Sequence, residues 1–274
     1  MPDASSITLT AADGARAVIS PFGAHVLSWQ PAGGGEQLFL SRSAVLDGSR
    51  PIRGGVPVIF PQFAGEGPLP KHGFARTSYW QFLREETADN GSAIAYFGLR
   101  DNAATRALWP HPFAAELAVT VGGAALRVAL EIHNTGSEAF AFTAALHTYL
   151  AVADSADVEI IGLSGLGFRD TANGNVRGEQ HETALRIAGE VDRIYFDAPA
   201  HLQLREPGRT LELSAVGFPD AVVWNPGAVA GAALGDLEPG GYARMLCIEP
   251  AVIGRPMLLA PGATWRGGQG LRVI

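Results

Sequence analysis

The 274-residue chain is 47% hydrophobic and 17% charged, the composition of a globular protein with a large core. Its formal charge of −7 excludes a broadly basic face, and with it general binding to nucleic acid or a membrane surface. A lone cysteine, Cys247, cannot form an internal disulfide, the first ten residues lack a signal-peptide pattern, and no uncharged apolar run reaches the ~18 residues of a membrane span; a cytoplasmic location is expected.

Taken in chain order, the predicted elements are short. Ile7 to Leu9 and Ala17 to Ile19 read as strands. Pro51 to Trp80 (PIRGGVPVIFPQFAGEGPLPKHGFARTSYW) is interrupted throughout by proline and glycine, so it cannot stay in regular sheet. Because it carries Phe60, Phe63 and Phe74, it reads as an ordered binding loop and not as disorder. Ile94 to Phe97 is a further strand, and Ala103 to Leu108 a short helix. Leu126, Val128, Leu130 and Ile132 alternate with Arg127, Ala129, Glu131 and His133 before the turn residues Asn134, Thr135 and Gly136; this predicts a half-buried strand and a reversal. Phe140 to Ala151, Leu202 to Leu204, Leu211 to Leu213 and Met245 to Glu249 complete the set. Many short strands parted by turn signals, with no linker or convincing repeat, predict an all-β sandwich or barrel forming one domain over residues 1–274.

Two of these strands carry chemistry. In Phe140 to Tyr149, Phe140, Phe142, Ala144 and Leu146 share one face, and Ala141, Thr143, Ala145, His147 and Tyr149 the other. The second face is small up to His147, which leaves room for a ligand beside the imidazole; the alternative is a core histidine bonded to a neighbour. Glu249 ends an apolar run, where desolvation would raise its pKa and make it a better base near neutrality; the alternative is an edge glutamate reaching solvent. Arg53, Lys71 and Arg76 are the cations of the proline-rich loop, and Lys71 is the only lysine in the chain. Together they could hold a phosphate dianion, or else be three solvated charges. Asp192 is a candidate acceptor for sugar hydroxyls, while Arg193 would face the other way and pack or pair structurally. His25, His111, His133, His181 and His201 stand apart from one another, and no metal-ligand spacing, dinucleotide fingerprint, phosphate-binding loop or nucleophile elbow is present; no metal or cofactor is expected.

Six stretches in order carry a resemblance: Pro51 to Ala64 (PIRGGVPVIFPQFA), Leu69 to Thr77 (LPKHGFART), Leu146 to Ala153 (LHTYLAVA), Val191 to Phe196 (VDRIYF), Val222 to Gly227 (VVWNPG) and Met245 to Val252 (MLCIEPAV). The chain resembles the aldose 1-epimerase superfamily, and more closely its hexose-6-phosphate mutarotase branch. The resemblance implies an all-β supersandwich of many antiparallel strands with an open substrate cleft. It implies that His147 protonates the ring oxygen, Glu249 takes the anomeric proton, Asp192 binds sugar hydroxyls, His72 steadies the substrate, and Arg53 and Arg76 contact phosphate. Position 71 departs from the pattern, since relatives often carry Gln there; Lys71 adds charge and favours an anionic ligand. A second departure follows Val222 to Pro226, where Gly227 to Gly235 reads as a small-residue loop that leaves the cleft rim open.

Mutarotation opens the ring at C1, so it calls for one base and one acid, expected on opposite sides of a small ring with pKa values near neutrality. The expected ligand is a small sugar phosphate and the expected state a monomer. Three other readings compete: a non-catalytic carbohydrate-binding protein, a mutarotase for unphosphorylated aldoses, and a glycoside hydrolase using Glu249 with Asp192.

Overall fold

The computed structural model describes residues 6–274. The strands assemble into three antiparallel sheets. A three-stranded sheet is built from Ile7–Thr10, Arg16–Ser20 and His25–Gln30. A nine-stranded sheet runs from Ala184–Arg186 at one edge to Gln81–Thr87 at the other, with Thr264–Val273 and Ala125–Asn134 at its centre. An eight-stranded sheet holds, among others, Val191–Tyr195, Asp220–Asn225, Met245–Leu259 and Phe140–Leu146 as successive neighbours.

Period-two patterning explains this architecture. Phe113–Gly122 alternates buried and half-buried residues along its whole length, and the predicted alternation from Leu126 to Ile132 is present. The apolar faces meet in one large core that includes Leu117, Leu130, Phe142, Leu146, Leu204, Val223, Ile248 and Leu271. At ~25 cal/mol per Å² of apolar surface, burying each such side chain contributes roughly 1.5–3 kcal/mol. The predicted helix forms at Ala103–Leu108, capped by Asn102, whose side chain accepts from the Ala104 and Thr105 amides. No helix among the described residues is long and apolar enough to cross a membrane.

Two local expectations need correction. Phe140 to Ala151 is not one strand: it divides into Phe140–Leu146 and Tyr149–Ala151. The break follows Leu146, which lies opposite Pro250, a residue with no N–H to give to the ladder. On the side away from Pro250, the His147 and Tyr149 amides donate to the Pro57 and Gly55 carbonyls of the proline-rich loop. The stretch after Pro226 is not an open loop. Gly227–Ala233 is an α-helix, as its alanines favour, and the Gly227 amide donates to Asn225 Oδ1. The Asn225 amide is fixed in turn by the Tyr242 and Met245 carbonyls.

The loop from Pro51 to Trp80 is ordered, with one short strand at Val58–Ile59 and a 3-10 turn at Ala75–Thr77. Its entry depends on Gly54 and Gly55, at φ 118° and 62°; a Cβ on Gly55 would lie 2.2 Å from the Val26 carbonyl oxygen. The buried His25 ring bonds the Gly54 carbonyl at 2.7 Å, so His25 is a structural anchor for the loop.

Candidate active site

One face of the eight-stranded sheet looks into the core and the other carries a cleft of about 460 Å³. The alternation predicted around His147 holds: Phe140, Phe142, Ala144 and Leu146 enter the core, while His147 and Tyr149 line the cleft. From the neighbouring strands, Glu249, Val222, Trp224 and Asp192 line the same space. The proline-rich loop closes it with Arg53, Phe63, Ala64, Gly65, Glu66, Lys71, His72 and Arg76. All seven residues singled out in the sequence therefore line one cavity.

Strand register brings His147 to Glu249. Ala251 pairs with Ala145 and Cys247 with Tyr149, so Glu249 lies directly across from His147. Cross-strand neighbours on one face are close by construction. His147 Nδ1 lies 3.3 Å from Glu249 Oε1, yet Nδ1 and both carboxylate oxygens are buried without a hydrogen-bond partner. Burial pushes the Glu249 carboxyl well above its ordinary pKa, helped by Asp192 and opposed by Arg76. Burial also pushes His147 well below its ordinary value, with His72, Arg76 and Arg53 adding repulsion. Both groups therefore favour their neutral forms. The two side chains lie next to each other on one wall of the cleft, whereas the expected acid and base were to stand on opposite sides of a ring.

Three aromatic rings box the pair. Tyr149 stacks on His147 with centroids 4.8 Å apart and planes at 13°, and Trp224 meets both rings edge-on. His72 lies edge-on to His147 at 5.6 Å. Burial, then the charges of Arg76, Lys71 and Arg53, lowers the His72 pKa to about 2, so the ring is neutral. Its Nδ1 accepts from the Ala64 amide at 3.2 Å, which leaves the ring hydrogen on Nε2. His72 is thus an N–H donor whose backbone adopts the left-handed region, at φ 68°. Asp192 is raised in pKa, chiefly by burial. Arg193 faces away, as expected, pairing with Asp170 at 3.2 Å and lying over the Phe168 ring.

The three loop cations differ. Arg53 donates to both carboxylate oxygens of Asp236 and to the Tyr149 hydroxyl, so all three of its nitrogens are engaged. Arg76 donates to the Lys71 carbonyl at 2.9 Å, and its buried Nε has no partner. No ion pair among the described residues includes Lys71 or Arg76. Sequence reasoning missed Trp224, Phe63, Thr171 and Asp236, and placed Tyr149 on the site's face without giving it a role. The period of two offered the signal for Tyr149; nothing in the sequence ties Asp236 to Arg53. His147, Cys247 and Glu249 also form a group of potential metal ligands with donor atoms within 4.8 Å of one another. Burial holds the Cys247 thiol protonated, which opposes cation capture there.

The fold is an antiparallel β-sandwich with a buried imidazole–carboxyl pair in a cleft on one sheet face. The aldose 1-epimerase family model matches residues 5–272. A Cenchrus ciliaris protein named "Putative glucose-6-phosphate 1-epimerase" is 34% identical over 98% of this chain and 84% of its own. An Escherichia coli protein of the same name is 35% identical over 84% of this chain and 77% of its own. The crystal structure of a "putative mutarotase (YeaD)" from Salmonella typhimurium superposes with a TM-score of 0.88 at 31% identity, over 94% of this chain and 87% of that one. The chain belongs to the aldose 1-epimerase family, and its activity is that of a mutarotase, an isomerase of sugar anomers.

Proposed function

We propose that this mutarotase interconverts the anomers of a hexose 6-phosphate, glucose 6-phosphate first, with Glu249 as general base and His147 as general acid. The observation that carries the reading is the cross-strand placement of His147 and Glu249 beside two cations, Lys71 and Arg76, that have no acidic partner among the described residues. In the ring-closed state the pair holds one proton, on His147. Glu249 takes the C1 hydroxyl proton as His147 protonates the ring oxygen, the C1–O5 bond breaks, and the aldehyde forms. Both groups are then neutral, the state their burial favours, so the buried setting drives ring opening. Rotation about C1–C2 and the reverse steps close the ring on the other face.

The phosphate has a second effect in this reading. Arg76 and Arg53 disfavour protonated His147. A dianion at Lys71 and Arg76 offsets that field and makes the imidazolium available when substrate is bound. Arg53, held by Asp236 and Tyr149, shapes this end of the cleft more than it reaches for ligand. His72 Nε2–H and Asp192 are the donor and acceptor for sugar hydroxyls. The names of the relatives also support a glucose 6-phosphate substrate. The decisive measurement is NMR exchange between α- and β-glucose 6-phosphate. Glu249→Gln should lower the rate by about 10²–10⁴-fold with the fold intact, and an undiminished rate would remove the base assignment.

A further inference from the structure

We propose that Gln269 is a positioning residue for the His147–Glu249 pair, supplying a hydrogen bond that the two strands carrying the pair do not make. The inference rests on the acid–base reading above. In an antiparallel ladder, the residues of a hydrogen-bonded pair exchange two bonds. Ile248 and Thr148 form such a pair, and the Ile248 amide donates to the Thr148 carbonyl at 3.3 Å. The return bond is missing, because the Thr148 amide turns to the Leu146 carbonyl at 2.8 Å. The bond that the next residue pair would make, from position 250 to Leu146, is missing too, because Pro250 has no N–H.

Left alone, the Ile248 carbonyl would be buried without that partner. Gln269 takes the place. Its Nε2 donates to the Ile248 carbonyl at 3.1 Å, and its Oε1 accepts from the Thr148 hydroxyl. Gln269 comes from the opposing sheet, on Thr264–Val273, where its inward-facing neighbours are Trp265, Gly267 and Leu271. An amide among apolar side chains is costly unless it is bonded, and this one is bonded at both ends. The Ile248 carbonyl belongs to the peptide that enters Glu249, and Thr148 directly follows His147. One side chain therefore ties the backbone next to the base to the side chain of the residue next to the acid. A misplacement of about 1 Å at such a pair costs on the order of 10²-fold in rate.

The test compares variants that keep shape and remove bonds. Thr148→Val removes the hydroxyl, Thr148→Ser keeps it, and Gln269→Met removes both bonds at similar volume. In NMR anomer exchange, Thr148→Val and Gln269→Met should lose about 10–100-fold in kcat with KM changed less than about threefold, and Thr148→Ser should stay within about threefold of wild type. Combining Thr148→Val with Gln269→Met should cost no more than the worse single change, since both remove one bridge. Folded variants with wild-type kcat, or a Thr148→Ser protein as slow as Thr148→Val, would overturn the proposal. Should either Thr148→Val or Gln269→Met fail to fold, the other decides. A wild-type protein with no anomer exchange would instead sink the acid–base reading. The His147 ring ¹⁵N shifts still report on positioning in that case: they should move in Thr148→Val and not in Thr148→Ser, and unmoved shifts in both would overturn it.

Discussion

At the scale of single residues, burial decides the chemistry. A carboxyl and an imidazole placed across one strand pair, both shut off from water, are each pushed towards the neutral form. Glu249 is pushed up and His147 down, in both cases chiefly by burial. The acid limb of kcat for anomer exchange should therefore lie below the ordinary histidine value of about 6.5 and the alkaline limb above the ordinary carboxylate value of about 4.3; limbs at those ordinary values would show that the pair titrates as if exposed. A second expectation concerns Lys71 and Arg76, which have no acidic partner among the described residues. Neutralising both, as Lys71→Met with Arg76→Met, should raise KM for glucose 6-phosphate by at least about tenfold while changing that for free glucose little. Equal losses for both sugars would remove the phosphate and leave a mutarotase for unphosphorylated aldoses.

Among the elements, strands were legible and their interruptions were not. Alternation alone placed His147 and Tyr149 on one face of a strand and the bulky Phe140 and Phe142 on the other. It could not show that His147 sits at a break. That break depends on Pro250, about a hundred residues away, and on a pairing that only the folded sheet reveals. The helix at Gly227–Ala233 escaped for a different reason: glycine and alanine in a short run suit a loop as well as a helix, and tertiary packing made the choice. The proline-rich loop was readable as an ordered unit, though its anchor was not. His25 bonds the Gly54 carbonyl from a neighbouring sheet, and burial lowers its pKa to about 4. The sign follows: between pH 6.5 and 4 the unfolded chain binds this proton and the folded one does not. The stability that neutral His25 supports is full above 6.5 and declines as pH falls towards 4, by up to about 3 kcal/mol. Denaturant titrations of His25→Gln should show a shallower loss over that window than wild type; parallel curves would mean His25 is not the group responsible.

For the whole molecule, the core is what joins the sheets. Side chains from all three sheets enter one buried cluster, which runs from Leu9 and Trp29 through Phe142 and Leu204 to Leu271. We take the chain as one cooperative unit on this ground, and calorimetry should record a single transition with equal calorimetric and van't Hoff enthalpies. Two resolved transitions would show that a sheet unfolds by itself. The net charge of −7 gave no hint of an anion site, because the cations that matter are local and few.

Lys71 leaves one practical handle. It is exposed, bears no ion pair among the described residues and supplies the only side-chain amine in the protein. Reductive methylation with ¹³C-formaldehyde would therefore place a single lysine label, at the mouth of the cleft, with the chain's terminal amine as internal reference. Its resonance would turn an otherwise silent protein into a direct gauge of which ligands arrive, and how tightly they are held, before any chemistry takes place.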